Sequence, residues 1–124
     1  MDITWFDEKD KTGQASFYKT NLTLNCVASE AFQTAYRVRV GGDKEGNIVI
    51  MPLSKDQVER DFSGGKAIYT LAIKKSYSRI SSTPLMSQIA NALGITLSDK
   101  PVQFPTHFDK REGLLVIEAK KEKA

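Results

Sequence analysis

The sequence has one cysteine, one histidine and one tryptophan among its 124 residues, and it has no long apolar run. A single cysteine, Cys26, excludes an intramolecular disulfide and a zinc site built from cysteines. The apolar runs are only a few residues long, whereas a membrane-spanning helix needs about 20 apolar residues. We therefore expect a protein with no membrane contact and no cysteine-bound metal.

Charge is unevenly distributed along the chain. The formal net charge is +3, but the first ten residues sum to −3, so the other 114 residues carry +6. The N-terminal stretch lacks the apolar core of a secretory signal, which predicts a cytoplasmic protein. A basic body suits nucleic-acid binding, and it equally suits simple solubility. Charge alone leaves both interpretations open.

Two charged turns of similar composition suggest an internal repeat. The first, DKEGN, precedes the apolar run IVIMP, and the second, DKREG, precedes LLVIEA. In each half the turn is preceded by a short strand, a helix and another strand: LTLN, ASEAFQTA and YRVRV in the first, and YSRIS, PLMSQIANALG and PVQFPTHF in the second. Because charged turns containing glycine are common, a coincidence of two unrelated hairpins stays open.

We predict one domain, residues 1–124, with a mainly β, α+β fold built from duplicated strand-helix-hairpin units. The units cover about residues 17–53 and 67–120, and residues 1–13 form a separate arm. One such unit would leave strand edges exposed and bury too little apolar surface. Two units can pair edge to edge and close a small β-barrel with short helices, which removes most free edges.

The helix near residues 84–94 has the clearest start and stop signals. Ser82 or Thr83 can cap it, Pro84 suits its first turn, and Gly94 suits its end. Its predicted apolar stripe consists of Leu85, Ile89, Ala92 and Leu93. A shorter helix at 54–62 is predicted by the pair Ser54 and Gln57, which has the spacing of a capping box.

Alternation of apolar and polar residues predicts the strands. ASFYKTNLTLNCV reads as one strand with Phe17, Leu22, Leu24 and Cys26 on its inner side, so Cys26 is expected to be buried. Residues 67–75 form another predicted strand, with Leu71 and Ile73 inward. Pro105 lacks a backbone N–H, which favours an edge strand or a bulge at that position.

Parts of both units resemble the AbrB/MazE/MraZ group of swapped-hairpin proteins. The similar pieces are RVRVGGDKEGNIVIMP and SRISSTPLMSQIANALGI, and the resemblance covers residues 22–52 and 77–119. In that group the units intertwine as a double-split β-barrel, and MraZ proteins carry two units in one chain. The resemblance implies a transcription regulator that binds duplex DNA.

Five cations are candidates for phosphate contacts, because arginine and lysine on a rigid scaffold can bind a nucleic-acid backbone. They are Arg37, Arg39, Lys74, Lys75 and Arg79. Tyr36, Tyr69 and Tyr77 lie near them in sequence and could stack on unpaired bases. The alternative is that these residues are the ordinary polar surface of a half-exposed sheet.

A second functional hypothesis is a protein-interaction scaffold or antitoxin-like module with no nucleic-acid role. Trp5 and Phe6 in the acidic arm would then dock a protein partner or a second copy of the chain. An enzyme is the third hypothesis, since His107 could pair with Asp109 or act with Cys26. No activated nucleophile, carboxylate pair or ligand cluster accompanies them, so we predict no catalytic residue, no metal and no cofactor.

Overall fold

The computed structural model describes residues 2–3, 12–62 and 68–119, and this part of the chain is mainly β. Its strands are β1 (Gln14–Phe17), β2 (Asn21–Asn25), β3 (Arg37–Gly42), β4 (Ile48–Leu53), β5 (Ala72–Ile73), β6 (Tyr77–Ser81), β7 (Val102–Asp109) and β8 (Leu114–Ile117). Its helices are α1 (Cys26–Ser29), continued by a 3-10 turn (Glu30–Phe32), α2 (Lys55–Asp61) and α3 (Thr83–Leu93). The prediction of a mainly β fold with short helices is confirmed for these residues.

The strands form one antiparallel sheet that curls into a half-barrel, in the order β3-β4-β8-β7-β1-β2-β6-β5. Pairs of strands from the first and second halves of the sequence alternate in this order, because β2 pairs with β6 and β4 pairs with β8. An isolated antiparallel bridge joins Val38 of β3 to Tyr69, just before β5. That bridge connects the two ends of the strand order.

The core lies on the concave side of the sheet and is closed by α1 and α3. Its largest fully buried side chains include Phe17, Phe32, Leu22, Leu24, Ile50, Ile80, Met86 and Ile117. They come from both halves of the sequence, so neither half buries its apolar face without the other. In the described residues no helix has both the length and the apolar character needed to cross a membrane.

The predicted helix signals are confirmed, with one change in the buried stripe. Ser82 Oγ accepts a hydrogen bond from the Leu85 N–H at 3.2 Å, and Gly94 ends α3 in the left-handed region at φ 66°. Ala92 was expected in the stripe but is exposed, and Met86 is fully buried instead. The helix is therefore rotated about its axis, toward Met86 and away from Ala92, relative to the predicted stripe.

The capping box of α2 is also present. Ser54 Oγ accepts from the Gln57 N–H at 3.2 Å, and Gln57 Oε1 accepts from the Ser54 N–H at 2.8 Å. The helix ends at Phe62, whose N–H donates to the Val58 carbonyl at 2.8 Å. α2 is thus fixed at both ends directly after β4.

The single strand predicted over ASFYKTNLTLNCV is wrong, because this segment is the hairpin β1–β2. The chain reverses at Tyr18–Thr20, and the Tyr18 N–H donates to the Asn21 carbonyl at 2.8 Å. Asn25 then ends β2 by capping α1, since its Oδ1 accepts from the Ala28 N–H at 3.0 Å. Cys26 therefore begins a helix and is exposed, contrary to the expected burial.

The strand predicted over 67–75 is shorter than expected. It comprises the bridge at Tyr69 and the two residues of β5, and Ala67 lies outside the described residues. Leu71 packs against the core as predicted, but Ile73 is 39% exposed. Ile73 is the last residue of β5, and the exposed turn that follows it leaves part of its side chain uncovered.

Pro105 lies in a strand whose two halves are each paired on one side only, which agrees with the predicted edge character. The first half of β7 pairs with β1 and the second half pairs with β8, and Pro105 lies at the change of partner. Its carbonyl accepts from the Glu118 N–H at 2.8 Å, while the next N–H, of Thr106, donates to Gly13. A proline is tolerated here because the strand leaves one neighbour and joins another at this position.

Candidate nucleic-acid interface

Alternation along β3 and β6 directs three arginines to the outer face of the sheet. Val38 is fully buried, so its neighbours Arg37 and Arg39 project away from the core. Arg79 likewise lies between two buried residues of β6. Arg39 and Arg79 are exposed and Arg37 is half-buried.

One short extended stretch, residues 69–72, separates Arg37 and Arg39 on β3 from Arg79 on β6. Tyr69 pairs with Val38 on β3, and Ala72 pairs with Arg79 on β6. The backbones of β3 and β6 are therefore about two strand spacings apart here, about 10 Å. Lys74 and Lys75 lie in the exposed turn that follows β5. We call Arg37, Arg39, Lys74, Lys75 and Arg79 the cationic face.

Each arginine of the cationic face lies over an aromatic ring. The guanidinium carbon is 4.3 Å from the ring centroid for Arg37 over Tyr36, 5.2 Å for Arg39 over Phe62, and 5.3 Å for Arg79 over Tyr77. A ring restricts the guanidinium while its positive charge stays unneutralised, and the in-plane N–H groups stay available for an anion. Arg37 uses one of these N–H groups to bind the Tyr36 carbonyl at 2.8 Å.

Within residues 12–62 and 68–119, no acidic side chain forms an ion pair with the cationic face. The ion pairs found there are Arg60–Asp61 at 3.4 Å and His107–Glu118 at 3.5 Å. The five cations thus differ from Arg60, whose charge already has a partner. Cations without acidic partners, spread over one outer face of the sheet, suit a polyanion.

A shallow depression lies beside Arg79 on the outer face of β2 and β6. It has a volume of about 470 Å³ and is lined by Tyr18, Asn21, Thr23, Tyr77 and Arg79. Sequence reasoning selected Arg79 and Tyr77 but missed the other three. The β1–β2 turn was the missing signal, because without it Tyr18 and Asn21 could not be placed on this face.

His107 does not contact Asp109, the partner considered for it in the enzyme hypothesis. His107 Nδ1 lies 3.5 Å from Glu118 Oε2, on the adjacent chain segment. Asp109 Oδ1 instead accepts from the N–H groups of Arg111 and Glu112, at 3.0 and 3.1 Å, and so holds the β7–β8 turn. A cavity of about 350 Å³ lies beside His107, and we call it the His107 cavity. Its lining is mostly apolar and includes Val27, Ala28, Phe108 and Leu115 but no cysteine.

The other sequence-based candidates fall outside this face. Trp5 and Phe6 lie outside the described residues. In the described part of the chain, no group of histidine, cysteine or acidic side chains is arranged to hold a metal ion. The pKa of Asp43, in the β3–β4 turn, is lowered overall: burial raises it, but hydrogen bonds from Asn47, Glu45 and Gly46 outweigh this effect.

Comparison with known proteins adds no relative to this description. No family model, no curated protein and no solved structure matches the chain. The function must therefore be argued from the chain's own residues and their geometry.

Proposed function

We propose that this protein is a small DNA-binding regulator with an AbrB-like barrel, and that duplex DNA lies against the cationic face. The proposal has two parts, a duplicated fold and a phosphate-binding surface. The cytoplasmic location expected from the sequence stays a prediction.

The duplicated fold is supported by matching strand registers. Ser16 pairs with Thr23 in the β1–β2 hairpin, and 56 positions later Ala72 pairs with Arg79 in the β5–β6 hairpin. The acceptors of two further hydrogen bonds are also 56 positions apart, although their donors are 68 positions apart: Gly13 accepts from Thr106 at 2.8 Å, and Tyr69 accepts from Val38 at 3.0 Å. Each unit then consists of a hairpin, a helix and a second hairpin. Neither match was used to identify the repeat in the sequence.

An intertwined arrangement is supported by the packing of the helices. α1 follows β2 in the first unit, and it packs against β6 and β7 of the second unit as well as against β1 and β2 of its own. α3, which belongs to the second unit, packs against β2 of the first. With the Val38–Tyr69 bridge joining the ends of the strand order, such an exchange would produce a closed, double-split barrel.

The single observation that carries DNA binding is the stacking of three outward arginines on aromatic rings without an acidic partner. A flexible arginine loses side-chain entropy when it binds a phosphate. A guanidinium already restricted by a ring loses less, so the arrangement favours a phosphate contact over a merely solvated side chain. Arg37 and Arg39 are two residues apart on one strand, about 7 Å, and can contact neighbouring phosphates.

The direct test is the affinity for a labelled DNA duplex, measured by fluorescence anisotropy at fixed low salt. The triple variant Arg37→Gln, Arg39→Gln, Arg79→Gln should bind at least about tenfold more weakly, because charge-assisted hydrogen bonds are lost. Arg111→Gln is the matched control, since Arg111 is an exposed arginine in the β7–β8 turn, outside the cationic face. Equal losses in both proteins, or no binding by the wild type, would refute the proposal.

A protein-interaction module is the second candidate, favoured by one apolar feature. Phe108 is 41% exposed at the rim of the His107 cavity, beside the apolar side chains of α1. An exposed aromatic next to an apolar groove is a common anchor for a protein partner or a second copy. If Phe108→Ser converts an assembled species to a smaller one in analytical ultracentrifugation, while DNA is not bound, this candidate replaces the first.

A further inference from the structure

We infer that the depression on the outer face of β2 and β6 binds unpaired nucleotides, so that the protein binds single-stranded nucleic acid at Arg79 in addition to duplex DNA along the cationic face. The inference rests on the proposed function and specifies the ligand class at Arg79. It concerns five side chains: Tyr18, Asn21, Thr23, Tyr77 and Arg79.

The strand register places a tyrosine at each end of this depression. Asn25, at one end of β2, pairs with Tyr77, and Asn21, at the other end, accepts the hydrogen bond of the Tyr18 N–H. Four residues of strand separate these ends, about 13 Å. Thr23 and Arg79 pair with each other midway between them. The order of residues along the depression is therefore tyrosine, arginine, tyrosine, with the Arg79 guanidinium lying over the Tyr77 ring.

This order matches two successive bases and the phosphate that joins them. Tyrosine rings can stack on bases of any sequence, and each stacked base contributes about 1–3 kcal/mol to binding. The Arg79 guanidinium, 5.3 Å from the Tyr77 centroid, can direct its N–H groups to the phosphate between the bases. In a duplex the base faces are covered by their neighbours, so these rings could stack only on unpaired bases.

The floor of the depression is polar and oriented. Thr23 Oγ1 donates to Asn21 Oδ1 at 3.1 Å, and Asn21 Nδ2 donates to Thr20 Oγ1 at 3.3 Å. These two bonds fix the orientation of the Asn21 amide group, so its second N–H has a defined direction. An oriented amide suits a sugar oxygen or a base edge better than it suits a phosphate-only ligand.

The experiment compares three labelled ligands of equal length: oligothymidylate, an abasic single strand with the same phosphates, and a duplex. Wild-type protein should bind oligothymidylate at least about tenfold more tightly than the abasic strand, as stacking of one or two bases predicts. Tyr18→Leu and Tyr77→Leu should each weaken oligothymidylate binding by about fivefold to a hundredfold, and Tyr77→Phe should restore it because the ring is kept. Ile73→Ala, which removes an exposed apolar side chain outside the depression, should leave oligothymidylate binding unchanged.

The outcomes separate the inference from the proposed function. If oligothymidylate and the abasic strand bind equally, and the leucine variants bind as the wild type does, the depression is not a base site. The proposed function then still stands if the duplex binds and the triple arginine variant weakens it. If no ligand binds, both fail. Thermal melts establish that each variant is folded, and should Tyr77→Leu not fold, Tyr18→Leu decides the question alone.

Discussion

Ser29 Oγ lies 2.7 Å from Ser78 Oγ, and both side chains are buried. Ser29 also donates to the Leu24 carbonyl at 3.2 Å, so the proton between the two hydroxyls comes from Ser78. Ser29 belongs to α1 and Ser78 to β6, which lie 49 positions apart in sequence. The bond therefore joins the two halves of the chain inside the core.

This geometry predicts unequal effects of two similar substitutions. Ser29→Ala leaves the Ser78 hydroxyl buried without an acceptor and should lower the free energy of unfolding by about 1–3 kcal/mol. Ser78→Ala leaves Ser29 bonded to Leu24 and should cost about 1 kcal/mol. The double variant should be no less stable than Ser29→Ala alone, as measured by urea denaturation. Simple addition of the two single effects would contradict the assigned donor direction.

Gly13 is a position where the fold has no room for a side chain. A Cβ there would overlap Thr106 Oγ1 and would lie 3.3 Å from the Ala28 backbone nitrogen. We expect Gly13→Ala to lower the free energy of unfolding by about 1–3 kcal/mol, since overpacking forces neighbours to shift. In a protein that already carries Thr106→Ala, Gly13→Ala should lower the free energy of unfolding by less than it does in the wild type. If Gly13→Ala costs the same in both proteins, the Thr106 hydroxyl is not the obstacle.

Asp43 should make stability depend on pH in acid. Its Oδ1 accepts from the N–H groups of Glu45 and Asn47, both at 2.9 Å, and its pKa is lowered in the fold. A lowered pKa stabilises the fold above the unfolded-state value, near 3.9, and this contribution is lost as pH falls through the folded-state value. Wild type should therefore melt above Asp43→Asn at pH 6, and the difference should shrink below about pH 4. A difference that is constant or grows in acid would be inconsistent with the turn geometry.

Phe62 should affect DNA binding through Arg39. It ends α2 and lies under the Arg39 guanidinium, 5.2 Å from ring centroid to guanidinium carbon. Phe62→Leu should weaken duplex binding by about twofold to fivefold, the size of an exposed cation–π interaction, whereas Arg39→Gln should weaken it more. Val58→Ala, a change on the preceding turn of α2, is the control for helix stability. An effect of Phe62→Leu no larger than that of Val58→Ala would mean that the ring does not position Arg39.

Local signals predicted the elements that short-range chemistry determines. The capping residues Ser54 and Ser82 and the terminator Gly94 lie where expected, because caps depend on the first and last turns alone. The two glycine-containing turns likewise lie between paired strands.

The pairing of strands that are distant in sequence could not be predicted from local signals in the same way. The β1–β2 turn has no glycine or proline, so nothing in Tyr18–Thr20 distinguished a reversal from a continuing strand. The change of partner at Pro105 depends on residues about 90 positions away, in β1. Cys26 is an exception, because Asn25 is a good helix cap and is a local signal that a helix begins at Cys26. For the cationic face, the sequence proposed the five cations and the nearby Tyr36 and Tyr77, but it did not indicate that Phe62 lies beneath Arg39.

The most direct test of the central claim is the salt dependence of duplex DNA affinity, measured for wild type and for the triple glutamine variant at positions 37, 39 and 79. With five phosphate contacts, log affinity against log salt should fall with a slope of about −4.5. The variant keeps two lysines and should have a slope of about −2. Equal slopes in the two proteins, or a wild-type affinity that does not change with salt, would contradict the assignment of this surface to DNA.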